Sequence, residues 1–162
     1  MPEYSLSFAE KLAKAAALVA AEGLDDPEAK RTVLYLSLLS TEVSLKAMLE
    51  QAGVALPKIR KRSHDLAGLL SDLGHCTVGT QITLGKDMKV PASRLRSEPL
   101  AHGSASSTVG TIIDAEKAGA SKYPNNVRYG ELPSHYPPEI VSQMAIKVAA
   151  FAKKHWKSLQ TA

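Results

Sequence analysis

The chain has 162 residues, 44% of them apolar and 22% charged, which is the size and balance of one globular domain and excludes a disordered or collagen-like polymer. Its 20 Lys and Arg against 16 Asp and Glu leave a net charge of +4, enough to favour anionic partners and too little to require nucleic acid. The single cysteine, Cys76, excludes an internal disulfide and a cysteine-based zinc cluster, so a reducing, cytoplasmic location is expected.

From the N-terminus, Ser7 and Glu10 have the spacing of a capping box, and Phe8, Leu12, Ala16 and Val19 recur at helical spacing up to Gly23. A first helix is expected over about residues 5–22. Its longest uncharged apolar stretch, Ala15 to Ala21, is well short of the roughly 20 residues that cross a bilayer, and Glu3 and Glu10 stand where an export signal would be basic. No membrane association is expected. Asp26 and Pro27 then read as an N-cap and a first-turn proline of a long second helix that closes at Gly53. Leu34, Leu38, Leu45 and Leu49 form its apolar stripe, and Glu42 falls on that stripe, where an unpaired carboxylate is costly. Its first reading is a local pair with Lys46 one turn on, and its second is a functional acid.

A basic run follows, with Lys58, Arg60, Lys61 and Arg62 in a linker before a short helix that opens at Ser63-His64-Asp65-Leu66 and buries Leu66, Leu69, Leu70 and Leu73. The run reads either as a solvated loop or as a phosphate-binding site beside free helix amides. His64 next to Asp65 reads as a cap and packing contact ahead of a catalytic dyad. Residues 75–107 decay into Thr, Gly and Ser, with room for a small hairpin around Thr77 to Thr83, and an irregular stretch of this length marks function more often than idleness. A short helix at about residues 108–118 and a turn carrying Tyr123 and Tyr129 precede a last helix. That helix starts near Pro138, with Glu139 in its first turn and Lys153, Lys154 and Lys157 near its end. Val141, Met144, Val148, Phe151 or Ala152, and His155 form its buried stripe, with His155 at the core edge. The expected fold is all-α: one domain over residues 1–162, a four- to five-helix up-and-down bundle with a long irregular segment before the last helices.

Several chemistries find no motif. There is no His-x-x-x-His or Cys-x-x-Cys, no glycine run ending in Lys-Ser or Lys-Thr, and no Gly-x-Ser-x-Gly. No metal site and no cofactor are therefore expected.

The order of Glu42 and Lys46 on a long helix, His64-Asp65-Leu66 opening a leucine-rich one, then Tyr123-Pro124 and Arg128-Tyr129 before the last, resembles the HEPN superfamily of nucleotide-binding helical bundles over roughly residues 5–158. The resemblance implies RNA or a nucleotide as ligand, a homodimer, and a nucleotidyltransferase or antitoxin partner. Many members are metal-independent ribonucleases that carry an arginine, then a polar residue, with a histidine after four to six intervening residues. Arg96 with His102 fits that spacing, and so does Arg128 with His135. Ser97 departs from the asparagine common after the arginine, and Pro99 interrupts the expected helical turn, whereas Arg128 sits at the Arg-Tyr turn and reads as structural.

On the catalytic reading, RNA supplies its own 2′-hydroxyl nucleophile, so an imidazole that moves protons and a guanidinium that holds phosphoryl oxygens suffice to form a 2′,3′-cyclic phosphate. His102 is then the acid or base and Arg96 the clamp of an endoribonuclease serving in stress or phage defence. Tyr123, Tyr129 and Tyr136 are candidates for base stacking, or else half-buried turn residues. The other reading is a non-catalytic module that binds a nucleotide or a nucleotidyltransferase partner.

Overall fold

The computed structural model describes residues 1–118, 123–129 and 136–161. Helix α1 (Leu6–Glu22) starts one residue after Ser5, whose extended backbone lets its Oγ accept from the Phe8 N–H at 3.2 Å, so the cap is Ser5 and not the expected Ser7. Helix α2 (Pro27–Gln51) is capped as its sequence predicts, by Asp26 accepting from the Ala29 N–H at 2.8 Å. Ala9, Ala13 and Ala16 are buried where α1 meets α2, close enough for Ser40 Oγ to donate to the Ala9 carbonyl at 2.7 Å. Helix α2 is long and apolar enough to cross a membrane by length and composition, yet most of it is buried by α1, α4 and α7, which makes it the central helix of the core.

The basic run is helical rather than a loop: α3 (Leu56–Lys61) has Pro57 in its first turn and is anchored by the fully buried Ile59. Helix α4 (Leu66–Leu73) is capped by Asp65, which accepts from the Gly68 N–H at 2.9 Å, and it buries Leu66, Leu69, Leu70 and Leu73 as its spacing predicts. Helix α5 (Val109–Lys117) is capped by Thr108, α6 (Asn125–Tyr129) follows a cis Tyr123-Pro124 bond, and α7 (Pro138–His155) closes the layer with α1 and α2.

The all-α expectation fails between α4 and α5. Two hairpins stand there: β1 (Cys76–Thr83) with β2 (Lys86–Pro91), and β3 (Pro99–His102) with β4 (Ala105–Thr108). A short C-terminal strand β5 (Gln160–Thr161) pairs with the start of β1, giving the order β2-β1-β5. The first hairpin turns on Leu84 and Gly85, both with positive φ, as a two-residue turn matching strand twist requires. Pro99 opens a strand, a position that needs no N–H from it, so it does not interrupt a helix. The architecture is a mostly helical domain with two small antiparallel sheets, and the segment expected to be irregular is ordered.

Candidate nucleic-acid interface

Glu42 is 4% exposed, and three elements converge on its carboxylate. One turn farther along α2, Lys46 Nζ donates to Oε1 at 2.8 Å. From the residues before α4, His64 Nδ1 lies 2.9 Å from Oε2, and the Tyr123 hydroxyl donates to that same oxygen at 2.5 Å. Burial alone would push the Glu42 carboxyl up, but the hydrogen bonds from Lys46, Tyr123 and His64 outweigh it and hold the group below the ordinary carboxylate range. An ionised carboxylate only accepts, so Nδ1 of His64 carries a proton and donates it to Glu42, on a side chain that is 47% exposed. Burial and the Glu42 carboxylate raise the Tyr123 phenol, which keeps it a donor.

A row of rings extends from this cluster. His64 meets Tyr123 edge-on with centroids 5.9 Å apart, and Tyr123 meets Tyr35 at 6.2 Å. Arg128 continues it: the guanidinium carbon lies 5.0 Å from the Tyr35 ring centroid, with Nε and Nη2 donating to the Tyr35 hydroxyl at 3.1 and 2.6 Å. Arg31 Nη1 fixes the α6 backbone by donating to the Arg128 carbonyl at 3.0 Å. Arg128 is exposed and its partner is a phenol hydroxyl, so among the described residues its charge is anchored without a carboxylate beside it. Beside it Tyr129 is 81% exposed. Tyr35 was not singled out by sequence reasoning, although the signal exists: Arg31, Tyr35, Glu42 and Lys46 follow at intervals of four, seven and four and share one face of α2.

Arg96 and His102 share no hydrogen bond or ion pair among the described residues. Arg96 sits on the 3-10 turn Ala92–Ser97, where Nη2 donates to Asp114 Oδ2 on α5 at 2.5 Å. His102 ends β3, with Nε2 4.0 Å from Glu139 Oε1 on α7. Each therefore faces its own carboxylate, Arg96 one on α5 and His102 one on α7. His135, the expected partner of Arg128, lies outside the described residues.

The basic run is largely committed as well. Arg60 grips Glu3 through Nε and Nη2, with its shortest contact at 2.6 Å, and Arg62 grips both carboxylate oxygens of Asp72 at 2.8 and 2.7 Å. Lys58 and Lys61 remain exposed with no ion pair among the described residues. Tyr136 is a partly buried ring packed against the core. No group of three or more His, Cys, Asp or Glu is arranged to hold a metal ion among the described residues. No family model matches the chain, and no curated protein or solved structure is similar to it.

Proposed function

We propose that the chain is a HEPN-like helical module that binds a nucleotide or an unpaired RNA strand through the face formed by α2, the start of α4 and α6, without cutting RNA by means of Arg96 and His102. The observation that carries this reading is Arg128, a guanidinium fixed on the Tyr35 hydroxyl and facing no carboxylate among the described residues. It heads a row of rings that ends at a half-exposed imidazole. Stacking faces beside a fixed cation suit a base and its phosphate, and such binding tolerates many sequences. The residues that carry the HEPN resemblance, Glu42, Lys46, His64, Tyr123 and Arg128, are the ones that meet at this face. Against cleavage stands the pairing of Arg96 with Asp114 and of His102 with Glu139, since a clamp and a proton carrier must both be free to reach one phosphate.

The test is fluorescence anisotropy with labelled single-stranded RNA and calorimetry with nucleotides, beside incubation of RNA in EDTA with the wild type and an Arg96→Ala/His102→Ala variant. Binding is expected, with no turnover that depends on those two residues. Cleavage by the wild type that the double variant loses would replace this reading with the ribonuclease. Absence of both binding and cleavage, with a nucleotidyltransferase co-purifying, would replace it with a partner-docking module.

A further inference from the structure

The positive charge that Arg60 and Arg62 turn inward is offered at another surface. Lys147 and Lys154 on α7 and Arg94 on the 3-10 turn line one open cleft of about 400 Å³, floored by Phe151 and His155, whose rings lie 4.5 Å apart. Arg94 and Lys154 are exposed and make no hydrogen bond or ion pair among the described residues. Lys147 is tethered by donating to the Pro99 carbonyl at 2.5 Å, which fixes its position and leaves its charge in place. Glu98 is the lone carboxylate of this cleft among the described residues.

Lys154 also walls a second cleft of about 630 Å³ that holds Lys153, Lys157 and the half-buried Trp156. Its carboxylate, Glu10, is 3.8 Å from Lys153. Burial, then Lys154 and Arg94, depress His155 below the ordinary imidazole range against the opposing pull of Glu98, as expected of a partly buried ring beside more cations than anions. Lysines in the last turn of α7 complement its dipole without any ligand. That account does not cover Arg94, which comes from another element, or Lys147, two turns before the helix end.

We propose that this face of α7 is a phosphate track for single-stranded RNA, with backbone phosphates held by Arg94, Lys147 and Lys154 in the first cleft and by Lys157 in the second. From Lys147 to His155 the helix rises about 12 Å and Lys157 lies on the 3-10 turn just beyond its end, a span that suits a strand rather than one phosphate. The inference rests on RNA as the ligand and adds where its backbone lies.

The test is anisotropy with a labelled single-stranded RNA of about 12 nucleotides at a series of KCl concentrations. Arg94→Ala/Lys154→Ala is compared with the wild type, with Lys58→Ala/Lys61→Ala, and with Arg128→Ala. The α7 pair is expected to weaken binding about tenfold and to reduce the salt slope by about 1.4, two contacts' worth on a single strand. The Lys58/Lys61 variant is expected to bind within about twofold of wild type, since the salt term counts phosphate contacts and not net charge. Unchanged binding by the α7 pair, or an equal loss in the Lys58/Lys61 variant, overturns the track. If Arg128→Ala alone loses binding, the track fails and the face at α2 stands. If the wild type binds no RNA, both fall.

Discussion

Glu42 and His64 lie 22 residues apart in sequence and 2.9 Å apart in space, joined through Nδ1 of the imidazole to a carboxylate oxygen that the Tyr123 hydroxyl also reaches. This contact ties the middle of α2 to the entrance of α4 and, through Tyr123, to the turn before α6. A buried carboxylate with three donors is rigid because each donor lost leaves an ion short of solvation in a low-dielectric site. Rings that must stand at fixed angles for a ligand to stack on them benefit from such an anchor.

Removing the charge of Glu42 should cost more than removing the whole pair. Glu42→Gln leaves the Lys46 ammonium, 8% exposed, without its counter-ion, and a loss of about 3 kcal/mol is expected. Glu42→Leu with Lys46→Met deletes both charges and should recover at least about 1 kcal/mol relative to Glu42→Leu alone. Urea unfolding of the four proteins in the cycle measures the coupling, and a coupling of zero would mean that the buried pair is energetically idle.

Acid should weaken the fold through the same carboxylate. The folded Glu42 titrates below its ordinary value of 4.5, so as pH falls the unfolded chain takes up this proton first. The stabilisation is complete above 4.5 and is lost as pH drops from there through the lower, folded value. Asp72, held down by the hydrogen bonds and charge of Arg62, acts in the same sense from its ordinary value of 3.8. Thermal melts between pH 7 and pH 3 should therefore show a fall in Tm that begins later in Glu42→Gln than in the wild type. Superimposable pH profiles would exclude Glu42 as the source.

Helices α2, α4 and α7 were legible because each carries its own signal, whereas α3 and α6 were read as a linker and a turn. Asp26 with Pro27, the leucines of α4 and the stripe of α7 fix those elements locally, and the Glu42–Lys46 pair follows from helical spacing alone. The segment with Arg96 and His102 was misread because a strand edge there is set by pairing with Ala105 to Thr108, which no local pattern announces. The commitments of Arg60 to Glu3 and of Arg62 to Asp72 span 57 and 10 residues, so the basic run looked available when tertiary contacts had already taken it. Tyr35 escaped for the same reason, and so did the bond of His64 to Glu42: their roles depend on Arg128 and Glu42, each brought in from another element.

Gly68→Ala should destabilise, against the usual gain of about 0.5–1 kcal/mol for alanine in a helix. A Cβ at position 68 would collide with Asp65 Oδ2 and stand 2.8 Å from its Cγ and 2.9 Å from Arg62 Nη1. Asp65 would have to leave its capping bond to the Gly68 N–H, a loss of about 1 kcal/mol that more than offsets the alanine gain. A raised Tm for this variant would show that the cap can shift without loss.

Arg128 separates charge from geometry. Its Nε and Nη2 both reach the Tyr35 hydroxyl, a two-point hold that an ammonium cannot reproduce. Arg128→Ala should weaken single-stranded RNA binding about tenfold at low salt and reduce the salt slope by about 0.7, one contact on a single strand. Arg128→Lys should restore the slope, because a cation is present, and recover only part of the affinity, because the lysine wanders over the Tyr35 ring instead of being fixed on it. Both variants should melt within about 1 °C of wild type, since an exposed arginine facing a phenol contributes little to the fold. Titrations of labelled RNA at several KCl concentrations read slope and affinity together. Full recovery in Arg128→Lys would reduce this residue to a diffuse charge, and unchanged binding in Arg128→Ala would remove the α6 face from recognition.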